Sequence, residues 1–372
     1  MIIGVPREIK QNENRVALTP GIALELTQLG HEVIIEKTAG LSSGFSDNDY
    51  EDVNCRIVET PNDVFNNVEL VIKVKEPQPE EIALCSKDLT MFTYFHFAAS
   101  EELTKSFLNT GATAIAYETI MTDDGSLPLL IPMSEVAGRM SVQEGAKFLE
   151  KVKGGRGILL GGVPGVEPAK VTILGGGIVG SNAALIAAGL GANVFILDVN
   201  LNRLRHLEEI MPKNVRTVYS NQYNIREHLA QTDLLIGAVL IPGAVAPKLV
   251  TRDMLKLMRP GSVIVDVAVD QGGCIETCKP TTHEDPIYEV DDIIHYCVAN
   301  MPGAVPFTST TALTNATNPY IQKLANDGIL NALRNDASLL HGLNMINGHV
   351  THNAVADAFD LNYTPPENTL KN

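Results

Sequence analysis

The chain is poor in the features that several classes of protein require. Among its 372 residues, 28 Lys and Arg stand against 44 Asp and Glu, which gives a formal net charge of −16. Nucleic acids and anionic membrane surfaces are bound by basic patches, so this balance argues against both as partners. A few local cations still suffice to bind a small acidic substrate, so that class of ligand stays open.

Cysteine is scarce as well, with five residues scattered along the chain. Cys274 and Cys278 are four residues apart, but neither a second close pair nor a pair of histidines follows to complete a zinc site. We therefore expect no metal site and no disulfide framework, only thiols in a reducing compartment.

No apolar run is long enough to cross a bilayer. The longest, LLIGAVLIPGAVAP from Leu234, is interrupted by proline and is shorter than a membrane span. The first residues, MIIGVPREIK, lack the basic and apolar regions of a signal peptide. These features predict a soluble, cytoplasmic protein whose partners are small molecules.

What the sequence does contain is a regular alternation of short β-rich runs with helical segments. The runs MIIGVP, HEVIIE, VIKVKEP, TMFTYFH and TAIAYE are predicted strands, and TPGIALELTQLG and SEELTKSFLNTG are predicted helices. A second set of strands, KVTIL, NVFILD, TDLLIGAVL, SVIVDVAVD and DIIHYCVAN, follows the glycine-rich segment KGGRGILLGGVPGVEPAK. Strands that alternate with helices in this way predict parallel sheets of the α/β class.

Two long predicted helices bracket the second set of strands. The first lies near residues 134–153 with Ser134 as its N-cap, and the second lies near residues 315–335. The tail from Tyr363 is predicted to be loose.

This order of elements predicts two Rossmann-like, doubly wound α/β domains joined by long helices. The outer, substrate-binding and catalytic domain is expected to combine residues 1–130 with residues 306–372. The nucleotide-binding domain, residues 131–305, is expected to be inserted into it.

The strongest local motif is KVTILGGGIVGSNAALIAAGLGANVFILD. Gly175, Gly177 and Gly180 form G-x-G-x-x-G between a strand and a helix of small residues. In such a motif the first glycine permits a tight turn, the second lets the backbone approach a pyrophosphate, and the third lets the helix pack closely on the strand. The helix N-terminus adds free N–H groups and a positive dipole end. This context predicts a dinucleotide site, and a glycine-rich turn without a cofactor is the alternative.

An acidic residue ends the next strand. Asp198 follows Gly180 by 18 residues, at the position where an acid binds the ribose hydroxyls and repels a 2′-phosphate. This position favours NAD over NADP, although Arg203 and Arg205 nearby act against that preference. The strand ends in AVLIPG and DVAVDQGG are further places for cofactor contacts, but their spacing alone does not distinguish them from ordinary turns.

Three charged or titrating residues interrupt the apolar pattern of the outer domain. Arg15 lies in the polar loop PREIKQNENRVALTP, Lys75 shares a predicted strand face with Lys73, and His96 follows the strand TMFTYFH. An arginine binds a carboxylate through two parallel hydrogen bonds, a lysine adds a point charge, and a histidine exchanges protons near neutral pH. The three predict a carboxylate clamp beside an acid/base group. Surface ion pairs and a histidine without a catalytic role are the alternative.

A series of collinear motifs resembles the family that alanine dehydrogenases share with the soluble domain of the proton-pumping transhydrogenase. The motifs are GVPREIK-x-x-E-x-RVALTP, VIKVKEP, FHFAAS, IPMSEVAGRMS, GGVPGV-x-PAKV-x-ILGGG-x-VG, VLIPGA-x-APKLVT, GSVIVDVAVDQGGC and YCVANMPGAVP-x-TST-x-ALTNAT. The resemblance spans nearly the whole chain. It implies reversible oxidative deamination of L-alanine to pyruvate and ammonium with hydride transfer to NAD, in a homohexamer.

The resemblance also implies roles for individual residues. Arg15 and Lys75 match the ligands of the substrate carboxylate, His96 matches the general acid/base, and Asp270 matches a second catalytic residue beside the nicotinamide. With the motif glycines Gly175, Gly177 and Gly180, the implied cofactor contacts are Ser134, Ile178, Val179, Asp198, Arg203, Ser220, Val239, Leu240, Val267, Ala268, Val269, Asp270, Lys279, Val298, Ala299, Asn300 and Met301.

Two other functions stay open. The soluble nucleotide-binding subunit of a proton-pumping transhydrogenase shares the fold, but its family pattern lacks the two residues that stand here as His96 and Asp270. A structural or regulatory NAD-binding protein is the other alternative. Formation of NADH with an L-amino acid alone distinguishes the dehydrogenase from both.

Overall fold

The structure is a computed structural model that describes residues 1–239, 246–269 and 272–370. Its strands, in chain order, are β1 (Ile2–Val5), β2 (Glu32–Glu36), β3 (Arg56–Val58), β4 (Leu70–Ile72), β5 (Thr90–Thr93), β6 (Thr113–Ala116), β7 (Lys170–Leu174), β8 (Asn193–Asp198), β9 (Val215–Tyr219), β10 (Leu234–Gly237), β11 (Val263–Asp266), β12 (Ile287–Val290), β13 (Ile293–Tyr296), β14 (Leu343–Ile346) and β15 (His349–Val350).

The α-helices, in the same order, are α1 (Pro20–Gln28), α2 (Asp47–Glu51), α3 (Pro61–Phe65), α4 (Pro79–Ile82), α5 (Glu101–Thr110), α6 (Ile131–Phe148), α7 (Ile178–Gly189), α8 (Leu201–Ile210), α9 (Gln222–Leu229), α10 (Arg252–Leu255), α11 (Pro306–Asp327), α12 (Ile329–Asn335), α13 (Ala337–Gly342), α14 (Asn353–Ala358) and α15 (Pro366–Thr369). Short 3-10 turns follow several strands, among them Phe97–Ala99 and Tyr117–Thr119. In the part of the chain that the structure describes, no helix is both long and apolar enough to cross a membrane.

The chain divides into two compact units. One combines Met1–Met133 with Val305–Asn372, and the other is the continuous stretch Ser134–Ala304. We call them the outer unit and the inserted unit. The first boundary falls within α6 and the second falls just before α11.

The outer unit is built on an eight-stranded sheet in the order β15-β14-β6-β5-β4-β1-β2-β3. Strands β1 to β6 run parallel, and β14 and β15 extend the β6 edge in antiparallel fashion. Apolar clusters cover both faces, because Val33 and Ile35 of β2 belong to one cluster and Ile34 belongs to the other. Burial on both faces accounts for strands that are nearly continuous apolar runs.

The inserted unit contains a seven-stranded sheet in the order β12-β13-β11-β10-β7-β8-β9. All neighbours pair in parallel except β12, which is antiparallel to β13. Leu234, Leu235 and Ile236 of the central strand β10 are completely buried. The predicted α/β class, with two sheets of mainly parallel strands, is confirmed.

Helix ends follow signals in the sequence. Thr19 caps α1 with its hydroxyl, which accepts the N–H of Ile22, and Pro20 occupies the first turn. Ser100 caps α5 in the same way, and Gly111 ends that helix in the left-handed conformation with φ +73°. These caps place α1 and α5 close to where the sequence predicts them.

The strand predicted through VIKVKEP is shorter than expected. β4 ends at Ile72, so Lys73 and Lys75 lie beyond the strand rather than on one of its faces. Lys73 is completely buried, and its ammonium contacts Glu8 at 3.1 Å and Glu81 at 2.6 Å. Glu8 also accepts the backbone N–H of Val74 at 2.6 Å, so a side chain rather than a neighbouring strand binds this N–H group.

Both long helices begin earlier than predicted. α6 starts at Ile131, so Ser134 lies inside the helix and is not its N-cap. The helix expected near residues 315–335 is two helices, α11 and α12, which are separated by Gly328 with φ +77°.

Candidate active site

The turn between β7 and α7 has the backbone geometry that a dinucleotide site requires. Gly175 has φ +102°, and a Cβ atom there would lie 2.6 Å from the carbonyl oxygen of Ala238. A Cβ atom on Gly180 would lie 1.8 Å from the carbonyl oxygen of Gly175. A side chain at Gly175 would therefore clash with the segment after β10, and one at Gly180 would push α7 away from the end of β7.

Gly177 differs from these two glycines. It is the N-cap of the 12-residue helix α7, and a Cβ atom there would meet no described atom within 4 Å. Its φ of −67° is accessible to any residue, so neither packing nor backbone conformation demands glycine. A bare backbone beside the free N–H groups of a helix N-terminus fits a pyrophosphate. The inserted unit therefore has a Rossmann nucleotide-binding turn.

Asp198, at the end of β8, organises the same turn. Its Oδ2 accepts the N–H of Gly176 at 2.7 Å, and its Oδ1 accepts the N–H of Asn200 at 2.8 Å. Arg203 on α8 donates through Nε to the carbonyl oxygen of Gly176 at 2.5 Å. The acid and the arginine thus hold the N–H and the carbonyl of one residue in the glycine-rich turn.

Most other predicted cofactor residues follow strands of the same sheet. Ser220 follows β9, Val239 follows β10, Val267 to Val269 follow β11, and Val298 to Met301 follow β13. Because these strands run parallel, their carboxyl ends lie along one edge of the sheet, as does the turn after β7. Leu240 and Asp270 lie outside the described residues.

The remaining predicted contacts are placed as follows. Ile178 and Val179 begin α7, directly after the N-cap. Lys279 is exposed, and its ammonium lies 4.8 Å from the centre of the Tyr288 ring. Ser134 lies in α6 and is half-buried.

In the outer unit, Arg15 is held by an ion pair with Glu13. The side chains are 2% and 1% exposed, and the guanidinium donates from Nε to Oε1 at 2.6 Å and from Nη2 to Oε2 at 2.5 Å. Burial opposes the charged guanidinium, but the hydrogen bonds and charge of Glu13 outweigh it and raise the pKa of Arg15. Arg15 Nη1 lies 3.0 Å from the sulfur of Met133. The pair keeps a permanent cation in a fixed orientation within an apolar setting.

Lys75 is a second cation in the same region. Burial, together with the positive charges of Arg15 and Lys10, lowers the pKa of Lys75. Its carbonyl oxygen accepts the hydroxyl of Thr93 at 3.0 Å, which ties the segment after β4 to the end of β5. The negative charges of Glu13 and Glu76 act in the opposite direction but do not offset this effect on Lys75. A substrate carboxylate beside Lys75 and Arg15 would add a further negative charge and favour the charged ammonium group.

His96 lies three residues beyond β5 in the left-handed conformation, with φ 52° and ψ 39°. The backbone N–H of His96 donates to Oε1 of Glu118 at 2.5 Å, and the backbone N–H of Phe95 donates to the same carboxylate at 3.2 Å. The imidazole is exposed and stacks on the ring of Tyr94, with centroids 5.8 Å apart and planes at 3°. Non-glycine residues rarely adopt this conformation, and it persists here because Glu118 binds the turn.

Several of these neighbours were not singled out from the sequence. Glu13 and Met133 stand in the motifs GVPREIK-x-x-E-x-RVALTP and IPMSEVAGRMS, but neither was given a role. Tyr94 and Glu118 gave no signal, because their contacts depend on tertiary structure. The outer unit thus brings two cations and an exposed imidazole into the neighbourhood of Tyr94, a set that can hold a carboxylate and exchange a proton.

Comparison with known proteins identifies the family. The family described as "Alanine dehydrogenase/PNT, N-terminal domain" matches residues 4–137, and "Alanine dehydrogenase/PNT, C-terminal domain" matches residues 141–353. The C-terminal match extends past the inserted unit into the second part of the outer unit.

Curated relatives align along the full chain. A protein named "Alanine dehydrogenase" from Bacillus subtilis is 56% identical over 372 residues, covering 100% of this chain and 98% of the relative. A protein of the same name from Halomonas elongata is 56% identical, and the alignment covers 98% of this chain and 98% of the relative. Another from Methanococcus maripaludis is also 56% identical, and the alignment covers 100% of each chain.

Solved structures agree. One titled "L-ALANINE DEHYDROGENASE" has a TM-score of 0.94 and 54% identity, over 97% of this chain and 99% of that one. A transhydrogenase from Sinorhizobium meliloti has a TM-score of 0.81 and 25% identity, over 95% of this chain and 100% of that one. The resemblance inferred from the motifs is confirmed: the chain belongs to the Alanine dehydrogenase/PNT family.

Proposed function

We propose that the chain catalyses the reversible oxidative deamination of L-alanine to pyruvate and ammonium with NAD. The observation that carries this proposal is the pair of cations Arg15 and Lys75 in the outer unit, which share their neighbourhood with the imidazole of His96. Three relatives that are 56% identical along nearly their whole length carry the name alanine dehydrogenase, and this similarity supports the same activity here.

The proposed cofactor is NAD, held by the inserted unit. The open backbone at Gly177 and the first turn of α7 suit its pyrophosphate, and Asp198 suits its adenosine ribose. When bound, NAD accepts a hydride from the α-carbon of the amino acid. An acid at the end of β8 disfavours the additional phosphate of NADP.

Arg15 and Lys75 are proposed to bind the carboxylate of the substrate. Glu13 fixes the guanidinium through two hydrogen bonds, so little conformational freedom is lost when an anion binds. The depressed pKa of Lys75 reflects burial and the nearby charges of Arg15 and Lys10. A bound carboxylate relieves that repulsion, and this relief favours binding.

His96 is proposed as the general acid/base. An exposed imidazole on a turn held by Glu118 can take the proton that the ammonium group of alanine must lose, and can then assist attack of water on the imine. Asp270, by family resemblance, assists this step. These roles are proposals that rest on position and chemistry.

The transhydrogenase alternative has less support. The solved transhydrogenase is 25% identical to this chain, against 54% for the solved L-alanine dehydrogenase. His96 and Asp270 also stand where the transhydrogenase pattern lacks them. Assembly as a homohexamer is a further proposal that rests on the family resemblance. A cytoplasmic location is also a proposal, and it rests on the composition of the sequence.

An assay of NADH formation against a panel of L-amino acids tests the proposed function. We expect L-alanine with NAD to exceed glycine, serine and glutamate, and NADP in place of NAD, by at least about tenfold in kcat/KM. Absence of NADH formation together with hydride exchange between two nucleotides would assign the chain to the transhydrogenases. Nucleotide binding without any turnover would indicate a regulatory protein.

A further inference from the structure

The last residue of β11, Asp266, is completely buried, and its carboxylate binds the backbone that follows it. Oδ1 accepts the N–H of Ala268 at 3.0 Å, and Oδ2 accepts the N–H groups of Cys274 at 3.0 Å and Ile275 at 3.2 Å. We give the name β11 loop to residues 267–269 and 272–275, which the structure describes. One carboxylate therefore ties the beginning of this loop to its end.

A lysine holds the end of the same loop through its carbonyl groups. The ammonium of Lys248 donates to the carbonyl oxygens of Gly273 at 3.0 Å and Ile275 at 3.5 Å, and also to that of Gly272. The end of the β11 loop thus has its N–H groups bound by a carboxylate and its carbonyl groups bound by an ammonium group. The two side chains come from different segments of the chain and carry opposite charges.

Two glycines lie in close contact with the carboxylate of Asp266. A Cβ atom on Gly273 would lie 2.6 Å from Oδ2, and a Cβ atom on Gly237 would lie 2.8 Å from Oδ1. Gly273 also has φ +68°, a conformation that favours glycine. Glycine at these two positions lets the main chain pack directly against the carboxylate.

The carboxylate of Asp266 serves the backbone that it binds. Burial raises the pKa of Asp266 to about 6, even though three N–H groups and Lys248 act to lower it. A buried carboxylate is costly to desolvate, but an apolar residue in its place would leave three backbone N–H groups without this acceptor. Fixing the backbone of a functional loop is a role that requires such a group.

We propose that Asp266 and Lys248 are positioning residues that hold the β11 loop in the conformation needed for cofactor binding and catalysis. The loop carries the predicted cofactor contacts Val267 to Val269, and the predicted catalytic Asp270 follows Val269 in the sequence, outside the described residues, so the inference rests on the proposed function. Neither residue is assigned a contact with the substrate or with NAD. Both act through the backbone they bind.

Substitution of Lys248 tests this directly. Lys248→Met keeps most of the aliphatic stem and loses all donors, whereas Lys248→Arg retains donors. In the full-length protein we expect Lys248→Met to raise the dissociation constant of NADH and to lower kcat by about 10-fold or more, and Lys248→Arg to restore most of both. Lys256→Met is the control, because Lys256 lies on the exposed surface of the same unit beside Asp253.

A second variant tests the acid. Asp266→Asn keeps the shape but places an NH2 group against backbone N–H donors, and we expect NADH affinity and kcat to fall as for Lys248→Met. The matched control is Asp233→Asn, because Asp233 is also buried and accepts the backbone N–H of Lys170 at 2.9 Å. Asp233 precedes β10 and so lies at the opposite edge of the sheet. For Asp233→Asn we expect a loss of stability without a loss of NADH affinity.

The outcomes separate the two proposals. A wild-type protein that binds NADH but does not oxidise L-alanine refutes the proposed function, and the NADH affinities of the variants still test the loop. A folded Lys248→Met protein with NADH affinity and kcat within twofold of wild type overturns the positioning role, even where Asp266→Asn fails to fold. Equal losses of NADH affinity and kcat in Lys256→Met or Asp233→Asn also overturn the positioning role. A wild-type protein without affinity for NADH overturns it as well.

Discussion

At the scale of single residues, the two candidate substrate-binding cations of the outer unit differ in their charged neighbours and in the direction of their pKa shifts. Arg15 is paired with Glu13, and this partner more than offsets the cost of burial. Lys75 is held near Arg15 and Lys10, and burial together with their charges lowers its pKa. A positive charge held near other positive charges lowers the free energy of unfolding of the free protein. Such destabilisation is typical of residues that are retained for binding.

We therefore expect Lys75→Met to make the protein more stable and less active. A lysine whose pKa is lowered on folding destabilises the folded state at neutral pH, and this effect disappears above the ordinary lysine pKa. Removing the charge should raise the free energy of unfolding by about 1 kcal/mol at neutral pH, while KM for L-alanine rises steeply. Denaturant titration and steady-state kinetics measure the two effects.

The control for Lys75→Met is Lys105→Met, at an exposed lysine paired with Glu101 on α5. We expect its free energy of unfolding to stay within about 0.5 kcal/mol of wild type, with unchanged kinetics. A Lys75→Met protein that is destabilised at neutral pH and keeps its KM would contradict the role given to this lysine.

Two buried tyrosines provide a matched pair. The hydroxyl of Tyr117 is buried without a hydrogen-bond partner among the described residues, whereas the hydroxyl of Tyr50 donates to the carbonyl oxygen of Leu18 at 2.7 Å. Tyr117→Phe should leave stability unchanged or raise it by about 1 kcal/mol, and Tyr50→Phe should lower it by about 1 kcal/mol. Thermal unfolding of both variants checks this, and a loss of stability in Tyr117→Phe would show that its hydroxyl has a partner.

At the scale of elements, KVTIL and NVFILD coincide with β7 and β8, because apolar runs bounded by glycine and asparagine leave little choice of strand ends. The strands predicted through TDLLIGAVL, SVIVDVAVD and DIIHYCVAN were too long, because β10, β11 and β13 end at Gly237, Asp266 and Tyr296. β4 was also predicted too long, since the contact of Lys73 with Glu8 joins segments 65 residues apart in sequence. The capping of α6 was misjudged because Ile131–Met133 continue the helix before Ser134.

The turn between β7 and α7 yields a prediction that separates packing from binding. Gly180→Ala places a Cβ atom 1.8 Å from a carbonyl oxygen, so we expect it to lower the free energy of unfolding by about 3 kcal/mol. Gly177→Ala meets no described atom and should change stability by less than about 1 kcal/mol. It should nevertheless weaken NADH binding by about tenfold or more, because the methyl group occupies the space proposed for the pyrophosphate.

Denaturant titration and NADH fluorescence distinguish the two glycine variants. Unchanged NADH affinity in Gly177→Ala would place the pyrophosphate elsewhere. A Gly180→Ala protein as stable as wild type would contradict the packing role assigned to the third glycine of the motif.

At the scale of the whole molecule, the two-sheet organisation followed from the alternation of strands and helices. The tail was predicted least well. Leu370 is buried, and Arg334 donates through Nε to its carbonyl oxygen at 2.9 Å, so residues 363–370 are not loose as a whole. Short strands such as β3 and β15 and the antiparallel edge strand β12 were missed, because pairing rather than local pattern defines them. Arg15, Lys75 and His96 were suggested by their residue types within an apolar pattern, with surface ion pairs as the alternative, whereas Asp270 was suggested by the family resemblance alone.

We propose that this chain oxidises L-alanine by means of His96 in the outer unit, with NAD held by the inserted unit. The most direct test is the rate of NADH formation from L-alanine and NAD in the wild-type protein and in His96→Ala, with NADH affinity measured on both. We predict turnover in the wild type and a loss of at least about 100-fold in the variant, with NADH affinity preserved. Turnover in His96→Ala at the wild-type rate, or no NADH formation by the wild type, would contradict the account.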